Sequence, residues 1–97
     1  NSLSPEKFTL KNNFPNPFNP VTTIEYELPY DTYMKLNIYD ARGRVIKNLI
    51  NQKMVSGKNS IQWNAKDNFN RIVPSGIYFY AIKTNNYQKT KKMILLK

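Results

Sequence analysis

The sequence has 97 residues, a length that suits a single domain. It contains neither cysteine nor histidine, which excludes disulfides, thiolate metal sites and histidine-based acid–base catalysis. The formal net charge is +9, and residues 51–97 carry nine Lys or Arg residues against one carboxylate, Asp67. This asymmetry indicates an anionic partner, such as nucleic acid, lipopolysaccharide, a membrane surface or an acidic protein groove, unless the lysines serve solubility alone.

The first six residues are predicted to be a linker. They are rich in Asn and Ser, include a proline, and lack the charged and apolar regions of a signal peptide. We therefore expect residues 1–6 to connect the chain to an upstream cargo domain, and residues 7–97 to form the folded unit. No stretch reaches the roughly 20 apolar residues that a membrane-spanning helix needs.

Seven strands are predicted, because apolar and polar residues alternate between short breaks of Asn, Gly and Pro. In chain order they are EKFTLKNN (6–13), TTIEYEL (22–28), MKLNIYD (34–40), RVIKNLI (44–50), NSIQWN (59–64), IYFYAIK (77–83) and QKTKKMILLK (88–97). The segment FPNPFNP (14–20) should block any ladder, since its prolines have no N–H to donate. In the hairpin turn DARGR, Gly43 is expected at positive φ. The strand 77–83 has bulky residues on both faces and should be central in a sheet.

Short strands at about 8–12-residue spacing predict an all-β fold, an immunoglobulin-like antiparallel β-sandwich of about seven strands. Trp63 is expected to fill its centre. The expected core consists of Ile24, Tyr26, Leu28, Met34, Leu36, Ile38, Ile61, Trp63, Ile77, Phe79 and Ala81. An unpaired edge strand would allow a homodimer.

Few residues suggest chemistry. Glu25 and Glu27 share one strand face about 7 Å apart, a separation near that of glycosidases, but this face is expected to be the solvent side. The segment DNFN (67–70) has alternating oxygen ligands but lacks the other acids of a calcium loop, so we interpret it as a turn stabilised by Asx side chains. There is no phosphate-binding loop and no paired nucleophile. The sequence therefore predicts no enzyme activity and no cofactor or metal.

Three tyrosines define an alternative interpretation. Tyr39, Tyr78 and Tyr80 could stack sugars or bases on a sheet surface, with lysines nearby. Tyrosines in strands usually pack in the core, however, and the signature of an RNA-recognition domain is missing. Nucleic acid is therefore not expected, while a carbohydrate-binding accessory module or an immunoglobulin-like structural module stays open as an alternative function.

Three blocks resemble the C-terminal sorting domain of type IX secretion system cargo (type A, the Por secretion system). They are NFPNPFNPVTTIEYELP, LNIYDARGRVIKNL and SGIYFYAIKTNNYQKTKKMILLK. They occur in the order and spacing of that family and cover about residues 7–97. The last two blocks also resemble the immunoglobulin-like domain of flagellar hook-capping proteins, so the Pro-Asn-Pro element and the final residues discriminate best.

The resemblance implies a function in protein secretion by Bacteroidetes and their relatives. It implies that an outer-membrane translocon recognises the folded domain after the cargo has reached the periplasm. A sortase-like peptidase commonly removes the domain, and the cargo is released or joined to anionic lipopolysaccharide. The implied partners are thus the translocon, the peptidase, the covalently linked cargo and lipopolysaccharide. The implied location is the periplasm in transit, then the cell surface or the medium.

The resemblance also assigns residues to translocon recognition. They are Pro15, Asn16, Pro17, Gly76, Tyr78, Lys92, Met93, Ile94, Leu95, Leu96 and Lys97. Where relatives often carry glycine in the loop after the Trp strand, this chain has Asn70, which tolerates the same left-handed backbone. A purely structural role is the alternative for the prolines and Gly76. Both roles stay open for Lys92 and Lys97, since packing cannot explain a charge on the last residue, and we expect these lysines to stay exposed.

Overall fold

The computed structural model describes residues 6–97, which form an all-β, immunoglobulin-like sandwich of two antiparallel sheets. The strands are β1 (Thr9–Leu10), β2 (Thr22–Leu28), β3 (Thr32–Tyr39), β4 (Val45–Met54), β5 (Gly57–Trp63), β6 (Gly76–Lys83) and β7 (Gln88–Leu95). One sheet has the order β1-β2-β5 and the other the order β4-β3-β6-β7. Within residues 6–97 there is no helix of the length and apolarity needed to span a membrane. The predicted linker lies outside the described residues, apart from the exposed Glu6.

The predicted strands agree with the structure in number and order. The alternation in TTIEYEL places β2 at Thr22–Leu28, as predicted, and it pairs with β5 along its whole length. The prediction for β1 was too long, since only Thr9 and Leu10 pair with β2 as a strand. Strand β6 lies between β3 and β7, which confirms that the strand with bulky residues on both faces is central.

The turn after β3 also has the predicted geometry. Gly43 has a φ of 85°, which glycine adopts without a steric penalty. Its N–H donates to the Asp40 carbonyl at 3.0 Å, and the Asp40 N–H donates to the Arg44 carbonyl at 3.0 Å. The backbone is thereby closed into a tight hairpin that leads into β4.

The core lies between the two sheets and contains most of the predicted residues. Alternate residues of β2 and β3 are buried, as is Trp63 at the end of β5. Ile61 is only partly buried and packs against the edge of this core. Met93 and Leu95 of β7 are fully buried, so the final strand is an integral part of the sandwich.

The predicted inner face of β6 was wrong. Tyr78, Tyr80 and Ile82 are buried, whereas Ile77 is 45% exposed and the other two predicted residues are half-buried. The tyrosines can enter the core because each hydroxyl reaches a backbone carbonyl: Tyr80 donates to Lys11 and Tyr78 donates to Pro74. The prediction ranked residues by apolar character alone and so chose the face with Ile77, Phe79 and Ala81. It did not account for the two hydrogen bonds that allow the tyrosines to be buried.

The same burial contradicts the tyrosine stacking surface. Tyr78 and Tyr80 lie on the inner face of β6, while Tyr39 pairs with Phe79 on the outer face. The three rings therefore cannot form one platform for sugars or bases. This correction removes the residues on which the carbohydrate-binding alternative depended.

Candidate functional site

Strands β6 and β7 bring two of the three assigned segments together. They pair antiparallel in an unbroken register, in which Gly76 lies opposite Leu95 and Tyr78 lies opposite Met93. Gly76 begins β6 with a φ of 152°. The motif around Gly76 is therefore the direct neighbour of the segment Lys92–Lys97.

The proline-rich segment covers the other side of β7. The Ile94 N–H donates to the Asn16 side-chain carbonyl at 2.9 Å, across 78 positions of sequence. The Phe18 N–H donates to the Ile94 carbonyl, and the Leu96 N–H donates to the Phe18 carbonyl, both at 3.0 Å. Phe18 thus forms an isolated parallel bridge with Leu95. The segment forms no regular ladder, as its prolines predict, yet it still caps the end of the final strand.

An aromatic cluster beneath this surface fixes the position of the segment. The Phe18 ring lies 5.7 Å from Trp63, and Trp63 lies 5.5 Å from Tyr78 in an edge-to-face arrangement. The Trp63 indole N–H donates to the Lys66 carbonyl at 2.9 Å. Burial raises the pKa of Tyr78, and the Asp40 carboxylate raises it further. Phe18 therefore anchors the segment between Pro17 and Pro20 to the centre of the core.

Phe18 is the residue that sequence reasoning missed, and it holds the assigned proline-rich segment in place. The prolines of this segment explain why it forms no ladder, but they do not indicate what holds it in place. The signal was a single large aromatic residue between prolines and asparagines, in a stretch too polar to contribute otherwise to a core. Its 2% exposure shows that the segment is held inward by this side chain.

A buried polar cluster orients Pro15. The Asn13 side-chain amide donates to the Thr22 hydroxyl at 2.9 Å and to the Pro15 carbonyl at 3.2 Å. The Thr22 hydroxyl donates to the same carbonyl at 2.8 Å. The Asn13 N–H donates to the Tyr80 hydroxyl at 2.8 Å, and this hydroxyl donates to the Lys11 carbonyl at 2.7 Å. These bonds join the start of the proline-rich segment to both sheets.

This cluster is strongly shielded from water. Burial raises the pKa of Tyr80 to about 12, although the hydrogen bond from the Asn13 N–H acts in the opposite direction. The side-chain oxygen of Asn13 is buried and has no hydrogen-bond partner among residues 6–97. Burying an oxygen without a partner is costly. The hydrogen bonds that the Asn13 N–H and side-chain amide donate must therefore offset this cost.

The assigned residues divide into exposed, half-buried and buried groups. The exposed ones are Pro15, Asn16, Pro17, Lys92, Leu96 and Lys97. The half-buried ones are Gly76 and Ile94, and the buried ones are Tyr78, Met93 and Leu95. The two lysines are exposed as expected. Asn16 bonds to Ile94, and Phe18 bonds to Ile94 and Leu96, so the two exposed segments lie beside each other at the end of β7. We call this region the composite surface and define it by the six exposed residues.

The remaining candidates have structural roles. The Asp67 carboxylate accepts the N–H groups of Phe69 and Arg71 at 2.9 and 3.0 Å, which confirms the Asx-stabilised turn. Asn70 has a φ of 63°, the predicted left-handed backbone. Glu27 pairs with Lys11 at 3.3 Å on the solvent side of β2. Within residues 6–97 no group of three or more acidic side chains is placed to hold a metal ion.

Solved structures share this fold across nearly the whole chain. Dimeric latent PorU from Porphyromonas gingivalis matches with a TM-score of 0.73 and 23% identity, over 92% of this chain and 9% of its own. PorZ, a surface component of the type IX secretion system of the same organism, matches with a TM-score of 0.61 and 22% identity, over 89% of this chain and 11% of its own. FlgD from P. aeruginosa matches with a TM-score of 0.64 and 22% identity, over 97% of this chain and 73% of the FlgD chain.

These likenesses define the class of the protein as an immunoglobulin-like β-sandwich module. The chain spans 9% of the PorU chain and 11% of the PorZ chain. No curated protein matches the sequence.

Residues 12–96 match the family described as the secretion system C-terminal sorting domain, and the chain belongs to this family. Members of the family serve as sorting signals and not as enzymes. The match includes the proline-rich segment, the Gly76 motif and nearly all of the final segment, which are the parts that build the composite surface.

Proposed function

We propose that the composite surface is the part of this sorting domain that an outer-membrane type IX translocon recognises, which leads to export of the protein fused upstream. The observation that carries the proposal is the hydrogen bond between Asn16 and the Ile94 N–H. It joins the two most discriminating motifs of the family into one unit. A receptor that contacts both motifs would thus bind the folded domain and reject an unfolded chain.

The charge of this surface supports recognition by an acidic groove. Lys92 and Lys97 are exposed, and neither forms an ion pair with a carboxylate in the described part of the chain. Leu96 adds an apolar contact, since its side chain is 52% exposed. Exposed charged groups at the edge of an interface chiefly increase the rate of association and the selectivity for the partner.

Later steps belong to the same proposal. The cargo reaches the translocon through the periplasm, and a sortase-like peptidase removes the sorting domain. The cargo is then released or joined to anionic lipopolysaccharide at the cell surface. The family match supports this sequence of events.

The proposal is tested by fusing a periplasmic reporter ahead of residues 1–97 in a host with a type IX system. Removing residues 93–97 would be uninformative, because Met93 and Leu95 belong to the core. We instead expect the double variant Lys92→Glu and Lys97→Glu to reduce export by about tenfold or more, the effect of losing ~1.4 kcal/mol of binding.

The matched control reverses two other exposed lysines on the same sheet, Lys35 and Lys53, so that net charge changes equally. This control should be exported like the parent. Equal export of both double variants, at equal thermal stability, would contradict recognition through the composite surface.

A structural module without a sorting role is the second candidate function. The likeness to FlgD supports it, since that match covers 97% of this chain and most of FlgD. The same reporter separates the two functions. Export that persists after residues 7–97 are replaced by the matching module of FlgD would favour the structural role.

A further inference from the structure

Strand β7 has an outer edge that is free over part of its length. The N–H and C=O groups of Ile94, and the Leu96 N–H, point away from β6, because they bond to Asn16 and Phe18. The register between β6 and β7 is unbroken, and backbone direction alternates along a strand. The N–H and C=O groups of Thr90 and Lys92 must therefore point outward too.

These outward groups have no hydrogen-bond partner among residues 6–97. Asn16 and Phe18 cover the edge only from Ile94 onward. We call the uncovered part, Gln88–Lys92, the open edge. A regular edge of this kind is a template for an additional strand.

The opposite edge of the same sheet is better protected. Strand β4 has two register shifts relative to β3, and such bulges twist an edge away from new partners. The Asn68 side chain also accepts the Asn48 N–H at 3.0 Å, while the Asn68 N–H donates to the Ile46 carbonyl at 2.9 Å. Strand addition to this sheet is therefore favoured at β7.

Charge determines which strand the open edge fits. Lys89, Lys91 and Lys92 lie on it, and none of them has a carboxylate within salt-bridge distance in the described chain. Two copies that paired antiparallel about Thr90 would place Lys89 opposite Lys91 of the other copy. Like charges directly opposite each other destabilise a strand pair, so this edge disfavours a second copy of the chain.

We propose that the open edge binds an acidic, extended peptide segment of another protein by β-strand addition. The backbone groups of Thr90 and Lys92 supply the hydrogen bonds. Lys89 and Lys91 are two residues apart and share one face, so glutamates at alternate positions of the added strand all lie beside this pair. The proposal concerns residues outside most of the composite surface and holds whether or not the domain directs secretion.

The test uses the 97-residue chain and a synthetic peptide of about six residues, the usual length of a strand, that alternates glutamate with valine or threonine. We expect saturable binding in fluorescence anisotropy, and slowed hydrogen exchange at the amides of Thr90 and Lys92. A peptide with glutamine in place of glutamate should bind at least tenfold more weakly. Raising the salt concentration from about 0.01 M to 1 M should weaken binding, because the Debye length falls from about 30 to 3 Å.

Thr90→Pro tests the backbone contact, because it removes an outward N–H and leaves the bonds to β6 in place. It should reduce affinity at least tenfold, whereas Thr90→Val, which keeps this N–H, should bind like the parent. If Thr90→Pro fails to fold, the exchange rates of the parent decide the question alone.

Three results would overturn the proposal. One is unchanged exchange at Thr90 and Lys92 with saturating peptide, and another is protection on β5 in their place. The third is equal affinity for the glutamine peptide. None of these results bears on reporter export, so this inference and the proposed function can fail separately.

Discussion

Tyr80 lies in the core, and its hydroxyl connects β6 to the chain that precedes the prolines. The hydroxyl donates to the Lys11 carbonyl and accepts the Asn13 N–H, at 2.7 and 2.8 Å. Asn13 in turn holds the Pro15 carbonyl through its side chain. This hydroxyl thus helps to hold the start of a segment whose prolines cannot pair in a ladder.

We expect Tyr80→Phe to lower the free energy of unfolding by ~1–3 kcal/mol, because the buried Asn13 N–H loses its acceptor. Chemical denaturation measures this loss. Tyr26→Phe is the matched control, since Tyr26 is also buried but its hydroxyl has no hydrogen-bond partner within residues 6–97. The control variant should lose less free energy of unfolding than Tyr80→Phe does. Equal losses in the two variants would contradict the positioning role of Tyr80.

At the scale of elements, the loops Asp40–Arg44 and Asp67–Arg71 share one design. In each, one carboxylate oxygen of the aspartate accepts hydrogen bonds from the backbone N–H groups two and four positions later. The other oxygen accepts a hydrogen bond from the Nε–H of the arginine at the end of the loop. The fourth residue of each loop is left-handed, with φ of 85° at Gly43 and 63° at Asn70. The same turn is therefore built twice from different residues.

This repetition makes Gly43 a test of backbone strain. A Cβ at this position would meet no atom within 4 Å, so Gly43→Ala changes only the cost of the left-handed backbone. We expect Gly43→Ala to lower the free energy of unfolding by ~1–2 kcal/mol, measured by thermal or chemical unfolding. Gly43→Asn should cost less, because Asn70 already occupies the matching position. Equal costs for the two substitutions would disprove this explanation.

At the scale of the whole molecule, the pKa shifts predict how stability depends on pH. Hydrogen bonds, led by the backbone N–H of Arg44 and Arg71, lower the pKa of Asp40 and Asp67 below the ordinary 3.8. The folded state thus holds these carboxyls ionised more readily than the unfolded chain does. Their contribution is present above pH 3.8 and is lost as the pH falls through the folded pKa values.

Buried tyrosines act in the opposite direction. Burial raises the pKa of Tyr26, Tyr78 and Tyr80 above 10.0, and that of Tyr80 reaches about 12. Their contribution is present below pH 10.0 and is lost as the pH rises towards about 12.

We therefore expect the aspartates to lower the free energy of unfolding as the pH falls below about 4, and the tyrosines to lower it as the pH rises above about 10. Denaturant midpoints measured across pH test this expectation. Tyr80→Phe should flatten the alkaline decrease, and the double variant Asp40→Asn and Asp67→Asn should flatten the acidic one. An alkaline decrease that Tyr80→Phe leaves unchanged would contradict the assignment to this tyrosine.

The local features of this protein follow from short stretches of its sequence. Alternation with a period of two depends only on neighbouring residues, and it predicted seven strands and the buried faces of β2 and β3. The segment DARGR predicted the turn at Gly43 through the backbone freedom of glycine. The family motifs likewise lie within short segments, so the resemblance to a sorting domain follows from the order of residues alone.

Contacts between distant segments, in contrast, depend on how the chain folds. The inner face of β6 depends on the Lys11 carbonyl, which accepts the Tyr80 hydroxyl across 69 positions of sequence, and no local pattern can reveal this contact. The bond between Asn16 and Ile94 depends on how the two sheets close, as does the burial of Phe18 against Trp63. Because these contacts join residues far apart in the sequence, the composite surface and the open edge of β7 exist only in the folded chain.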